Sequence, residues 1–394
     1  MKTDNNQKIK IIVASHKKYR MPEEDMYVPV QVGAKGRKDI GMLRDDSGDN
    51  ISEKNPNYCE LTGLYWAWKN ETYDVLGMVH YRRFFVEKKK KNKWGAIATR
   101  KQIQKRLNKS DIILPKKRNY FIETNYSQYC HAHNAIDLDT TRVIIEEKYP
   151  EYLPEFDRQM KKTKGHKFNM FIMKRYAVDE YCEWLFDILF DVEKQLDMTG
   201  YDEYNQRVYG FIAERLLRVW IVYNNYKPYE CIVGLTESKA ETKNAIEHAA
   251  KLLKNGNYNQ VLQYLDEVKE KRPDAFYLDS DIDRSLGYIY TFAKIMQTEE
   301  QAGINNLCGL SLDYKGLINV GNELADIIAG APEKLYGYIQ TKNLSIYYML
   351  VMLPKLYENK EDLINIYNYL ANEYLNRNDL NTAKIYVNQA LDLE

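Results

Sequence analysis

Near residue 238 the hydrophobic pattern of this chain changes period, and that change limits its possible folds more than any other feature. Before it, short β-branched runs alternate with stripes of helical spacing; after it, only helical spacing remains. Strands alternating with helices call for a parallel or mixed sheet with crossover helices, and a purely helical remainder must build its own core. We therefore expect an α/β domain over 1–237 and an all-α helical-repeat domain over 238–394. Charge divides the same way. Residues 1–240 carry 42 Lys and Arg against 34 Asp and Glu, a balance of +8; residues 241–394 carry 15 against 22, a balance of −7. Such asymmetry suits two domains with different tasks.

Within the first domain, 8–14 (KIKIIVA) reads as a buried strand running into Ser15-His16-Lys17-Lys18, and 27–32 as a second, short one. The stretch 33–57, rich in Gly, Asp, Ser and Asn, predicts a long functional loop. A helix follows over 56–69, with Leu61, Leu64, Tyr65 and Trp68 on one stripe. Further strands are expected at 75–79 (VLGMV), 111–114 (DIIL) and 167–173 (KFNMFIM). Helices are expected over 139–163, broken at Pro150 and Pro154, over 179–196 and over 209–223, the last apolar except for Glu214, Arg215 and Arg218. In the second domain, helix pairs are predicted at 244–255 with 258–271 and at 363–377 with 380–391, with helices at 285–297, 317–330 and 344–357 between them. Both pairs are similar to the tetratricopeptide helix-turn-helix. Their offset of 122 residues is not a multiple of that repeat's length of about 34, so an irregular array is expected.

Five scattered cysteines, without zinc-ligand spacing, fit free thiols in a reducing cytoplasm. The polar N-terminus lacks the apolar core of a signal peptide, and no run of about 18 apolar residues is present, so membrane association is expected to be peripheral. The 34 tyrosines suit carbohydrate stacking, and equally suit an AT-rich genome. From Glu87 to Arg118 there are 13 basic and 2 acidic residues, either a solvated surface or one that meets anionic headgroups or a diphosphate.

Four polar clusters could carry chemistry. Ser15 and His16 end the first strand, where α/β sheets bind ligands. Neither a GxGxxG nor a P-loop is present. Asp45, Asp46, Asp49 and Asn50 could hold a cation or ribose hydroxyls, or form an acidic turn, but their spacing is not that of an EF-hand. His80, Arg82 and Arg83 follow a buried strand, and guanidinium groups bind phosphate oxygens bidentately and neutralise a leaving diphosphate without a metal. In the fourth cluster His133 and Asp137 are donor or acceptor contacts, and Asp137-Leu138-Asp139 is either a sugar-nucleotide motif or a helix cap. Glu214, in an apolar helix, must be paired by Arg215, Arg218 or Arg82, or else act with a raised pKa as a general base.

The chain from Lys10 to about Glu230 resembles a bacterial family of capsular and exopolysaccharide biosynthesis proteins, classed with glycosyltransferases. The resemblance rests on IIVASHKKYRMP (11–22), YVPVQVG (27–33), DDSGDNISEKNPNYCELTGLYWAWKN (45–70), GMVHYRRFF (77–85), ILPKKRNY (113–120), HKFNMFIM (166–173), EYCEWLFDIL (180–189) and RVYGFIAERLLRVW (207–220). It implies a GT-A-like, Rossmann-like fold. It also implies transfer of a hexose, for instance galactose or galactofuranose, from a nucleoside-diphosphate sugar, UDP-linked, to a lipid-linked glycan acceptor. A typical GT-A enzyme places an Asp-x-Asp metal site where this chain has His80-Tyr81-Arg82-Arg83, so arginine neutralisation takes precedence over Mn²⁺ or Mg²⁺, and no metal ligands are assigned. On this reading Ser15, His16 and the 45–50 loop hold the nucleotide, Arg82 and Arg83 the diphosphate, and Glu214 or Asp137 deprotonates the acceptor. The helical repeats would bind a partner protein or a second copy, and nucleic acid is not expected. Two rivals remain: a non-catalytic scaffold of a polysaccharide assembly complex, and a nucleotidyl or phosphosugar transferase.

Overall fold

The β-branched runs become the centre of an eight-stranded mixed sheet in a computed structural model that describes residues 7–87, 93–119, 124–237, 240–271, 285–301 and 378–392, with scattered positions between 316 and 376. By its contacts the chain divides into two compact units, 1–237 and 238–394. In the first unit, β1 (Ile9–Ser15) lies parallel to both β2 (Tyr27–Gln31) and β4 (Val75–His80), and β3 (Leu43–Arg44) extends the sheet beyond β2. A tight turn at Tyr81-Arg82 sends the chain from β4 into β5 (Arg83–Val86), antiparallel to it. Beyond these come β6 (Ile112–Pro115), β9 (Phe171–Lys174) and β10 (Tyr229–Leu235). β9 runs antiparallel between β4 and β6, while β10 pairs parallel with β6 and antiparallel with β5. A separate ribbon joins β7 (Arg118–Asn119) to β8 (Lys164–Gly165).

Alternation along the central strands feeds two cores. Ile12 and Ala14 of β1 and Leu76 and Met78 of β4 face a core shared with the helices α2 (Leu61–Asn70), α5 (Ala135–Lys148), α7 (Arg175–Gln195) and α8 (Val208–Tyr223). Ile9, Ile11, Val13, Val75 and Val79 face the other, under α3 (Arg100–Leu107). Both faces are thus covered, which is why these runs read as continuously apolar. Gly77 of β4 has no room for a side chain: a Cβ there would stand 2.8 Å from Ile172 of β9 and 3.1 Å from Ile11 of β1.

Several expectations are corrected. The helix read over 56–69 is interrupted at Cys59, whose φ of 52° separates the short α1 (Asn55–Tyr58) from α2. The loop at 33–57 contains β3, a turn of 3-10 helix at Ser52–Lys54 and the start of α1. The fourth cluster begins in a helix not foreseen above: His131 lies in α4 (Asn125–Ala132) and His133 caps it. The strand β10 had no counterpart in the expected elements, because only Cys231 of its seven residues is buried and its pattern shows no clean alternation.

The second unit is helical where described. α9 (Ala240–Lys254) and α10 (Tyr258–Lys271) form a pair joined through Gly256 at φ 74°, and α11 (Ser285–Gln301) packs on both. Leu253, Tyr258, Val261, Leu265, Ile289 and Phe292 belong to their common core. A last helix, Leu380–Leu391, follows Asn378 at φ 60°. The helix expected at 344–357 lies outside the described residues, and those at 317–330 and 363–377 are described only at scattered positions. The fold class is α/β of GT-A-like type followed by a helical region.

Candidate functional site

From β1 the chain goes to β2 on one side and returns, after β3, to β4 on the other, so the carboxyl ends of β1 and β4 flank a topological switch point. Ala14 is in register with His80 there, and the Tyr81 amide donates to the Ala14 carbonyl at 3.2 Å. Open α/β sheets bind ligands in this crevice. Tyr81 stands in it as a buried post. The His16 ring meets it edge-on at 5.3 Å, the Lys17 ammonium lies 5.5 Å from its centroid and the Arg82 guanidinium 4.9 Å from it. Ser15 is buried beneath and exchanges hydrogen bonds with the backbone of Lys17, donating to its carbonyl at 2.6 Å, so it shapes the turn.

The charge around His16 is of one sign. Its pKa is held below the ordinary histidine value, first by partial burial and then by Lys17, Arg82, Arg37 and Arg207. Four cations from four separate parts of the chain thus converge at the end of β1. None of the four has a carboxylate within ion-pair distance among the described residues. Arg82 is the most constrained: its Nε is buried without a hydrogen-bond partner, and its carbonyl accepts from the Thr236 amide at 2.9 Å. Buried donors are normally matched, so this one fits an anion. Sequence reasoning singled out Arg82, and Lys17 only as a neighbour of His16 in the first cluster; it missed Arg37 and Arg207, because isolated basic residues carry no spacing signal.

Arg83 turns away, stacking 4.6 Å over the Phe168 ring. His80 is hydrogen-bonded through Nε2 to the Phe168 carbonyl at 2.6 Å, so it braces the neighbouring turn. That turn is strained. Phe168 and Asn169 have φ of 79° and 49°, values that side-chain-bearing residues adopt at a cost. Glu214 of α8 accepts from the Phe168 amide at 2.8 Å and lies 3.3 Å from the Lys167 ammonium and 3.4 Å from Arg215. Asn169 donates to Glu60 and to the Gly210 carbonyl, each at 2.9 Å.

The expectation of a raised pKa at Glu214 is therefore corrected. Burial pushes it up, but Lys167 and Arg215, with the Phe168 amide, outweigh burial, and the pKa falls below the ordinary glutamate value. Glu214 is an ionised group that braces the 167–169 turn through Lys167 and the Phe168 amide. Because its folded pKa is depressed, its stabilisation is present above the ordinary glutamate range and is lost as pH falls through the folded value. Glu214→Gln is expected to flatten that acid-side loss in thermal melts from pH 7 to pH 3. A mutant as pH-sensitive as the parent protein would remove Glu214 from this role.

Asp137 is corrected as well. It is 1% exposed, and its carboxylate accepts the Tyr129 hydroxyl at 2.8 Å and the Tyr201 hydroxyl at 2.6 Å. Burial raises its pKa, and both of its oxygens are already engaged by tyrosine hydroxyls. His133 is hydrogen-bonded to Asn205 at 3.1 Å and stacked 4.0 Å from Phe211, and burial lowers its pKa to about 4.

The acidic loop starts at this same end of the sheet, since Gln31 of β2 is in register with both Ser15 and Arg44, but its carboxylates are held by the loop itself. Asp45, fully buried, accepts from the amides of Gly33 and Ala34 and from the hydroxyls of Ser52 and Thr62 at 2.5–2.9 Å. Gly33 sits at φ 62° to present its amide. Asp46 is paired with Arg44, and Asn50 bonds the Gly48 carbonyl. The Asp49 amide donates to Asn70 at the C-terminal end of α2, which leads into the start of β4, the opposite end of the sheet from His16. Among the described residues, no three His, Cys, Asp or Glu side chains are placed to hold one metal ion.

Of the basic run 87–118, residues 88–92 lie outside the described residues. Arg100, Arg106 and Lys117 pair with Asp25, Glu87 and Glu230, while Lys101, Lys105 and Lys109 are exposed. No described helix is long and apolar enough to cross a membrane.

Among solved structures the chain is similar to one titled "WbbM bifunctional glycosytransferase apo structure", with a TM-score of 0.55 and 32% identity. The match covers 59% of this chain and 46% of that one, so the chain spans less than half the length of that protein. No curated protein matches it. Residues 10–225 match the family described as "Domain of unknown function (DUF4422)", and as that is more than half of its length, the chain belongs to this family.

Proposed function

We propose that the α/β unit is a glycosyltransferase that takes a nucleoside-diphosphate sugar, and that Arg82, Lys17, Arg37 and Arg207 hold its diphosphate. The observation that carries this reading is the convergence of four cations, without carboxylate partners among the described residues, on the switch point at His16. The similarity to a bifunctional glycosyltransferase supports it. In the reaction an acceptor hydroxyl oxygen bonds to the anomeric carbon. The carbon–oxygen bond to phosphate breaks, the nucleoside diphosphate leaves with the electron pair, and the hydroxyl proton passes to solvent water. Negative charge grows on the departing phosphate oxygen, and fixed guanidinium groups beside it stabilise that charge without reorganising.

The finer reading rests on the resemblance. It names a UDP-linked hexose such as galactose or galactofuranose and a lipid-linked glycan acceptor in capsule or exopolysaccharide synthesis. We further propose that the protein works in the cytoplasm, at the inner face of the membrane, and that its tetratricopeptide-like helices, which lie outside the resemblance, bind a partner or a second copy. A panel of nucleoside-diphosphate sugars, each with and without Mn²⁺ or Mg²⁺, tests it by thermal shift. A donor at about 100 times its Kd adds about 2.7 kcal/mol. Release of the nucleoside diphosphate marks glycosyl transfer, whereas pyrophosphate or the monophosphate marks a nucleotidyl or phosphosugar transferase. No shift with any donor would overturn the reading in favour of the scaffold.

A further inference from the structure

Beside the cations lies a built aromatic surface that none of the preceding steps uses. Tyr204, Phe211 and His133 form one stack: His133 lies 4.0 Å from Phe211 and 5.6 Å from Tyr204, nearly parallel to both, and Tyr204 lies 5.2 Å from Phe211. The Arg207 guanidinium lies over both rings, 5.4 Å from the Phe211 centroid and 5.8 Å from that of Tyr204. The surface is held from below. Tyr201 is anchored on buried Asp137, Asn205 is bonded to His133, and Asn57 donates to the Gln206 carbonyl at 2.8 Å. Tyr204 nevertheless remains 51% exposed, an aromatic ring fixed from beneath and open to solvent. His133 stays uncharged at neutral pH, so the stack keeps its aromatic character.

Building on the transferase reading, we infer that Tyr204 and Phe211 form the acceptor subsite, on which the apolar face of a sugar ring stacks. A nucleobase would also stack on an aromatic ring, but the switch point puts the nucleotide on the β1 side, by His16 and Tyr81. Arg207 is the link between the two: it belongs to the cations around His16 and lies over the Tyr204 ring, so a sugar on that ring would adjoin a donor whose diphosphate Arg207 helps to hold. Asp137 and His133 thereby acquire a role: they set the height and tilt of the surface instead of touching the reacting atoms.

The test uses octyl hexosides as synthetic acceptors and the donor giving the largest thermal shift. Tyr204→Ala is expected to raise the acceptor KM about tenfold, the scale of one lost aromatic contact, and Tyr204→Phe to restore it. Saturation-transfer NMR should show the hexoside ring protons contacting the parent protein and the Phe variant but not the Ala variant, while the donor-induced thermal shift stays the same in all three. Equal saturation transfer in the Ala variant, or none in the parent protein, would overturn the subsite. Absence of any donor shift in the parent protein would instead bring down the transferase reading, and the subsite with it.

Discussion

Arg82→Ala is expected to reduce sugar transfer by about 10²- to 10³-fold, the scale on which removing one preorganised donor to developing charge acts. The same substitution should abolish most of the donor-induced thermal shift, because the guanidinium meets the diphosphate before and during bond breaking. Arg82→Lys should recover only part of either, since an ammonium is a point charge and cannot present two parallel donors. The fold should tolerate the change. The Arg82 side chain has no carboxylate partner among the described residues, and the bond pinning its backbone runs from Thr236 to its carbonyl, which any residue supplies. An alanine variant that still transfers sugar at the parent rate, with an undiminished shift, would remove the diphosphate from this crevice.

Asp45→Ala is expected to destabilise the α/β unit by about 3–5 kcal/mol, the range for breaking a buried charged group away from its partners. Two amides and two hydroxyls converge on that carboxylate, and alanine would leave all four without their acceptor. Asp45→Asn should fall between, since one of its two side-chain termini donates rather than accepts. The measurement is convenient: all five tryptophans, Trp66, Trp68, Trp94, Trp184 and Trp220, lie in the first unit, so urea unfolding followed by tryptophan fluorescence reports that unit. A loss below about 1 kcal/mol would show that the 33–62 segment is braced by other means.

These two aspartate and arginine positions show what the sequence can and cannot reveal. The runs at 9–15, 75–80 and 171–174 were legible because both faces of those strands are covered, leaving uninterrupted apolar residues. From strand order alone, His16 and Arg82 could be placed at one sheet edge. Asp45 misled for a physical reason: a carboxylate that ties a loop and one that binds a ligand look the same until their donors are placed. Glu214 was recognised as a charge needing a partner, but one of those partners, Lys167, is 47 residues away and arrives through a strained turn that no composition rule predicts. Cys59, in a left-handed conformation that glycine or asparagine would have announced, hid the break between α1 and α2.

The position of β10 bears on how the molecule is made. It is the last strand among the described residues, yet it lies between β5 and β6, both formed from residues more than a hundred positions earlier. Until residue 235 has left the ribosome, β5 and β6 have a free edge toward the gap, and unpaired edges recruit other chains. The family match stops at residue 225, before this strand begins. A polypeptide cut at that boundary would carry every cation of the crevice and still lack the piece that closes the sheet and pins Arg82, and it should aggregate during synthesis rather than fold.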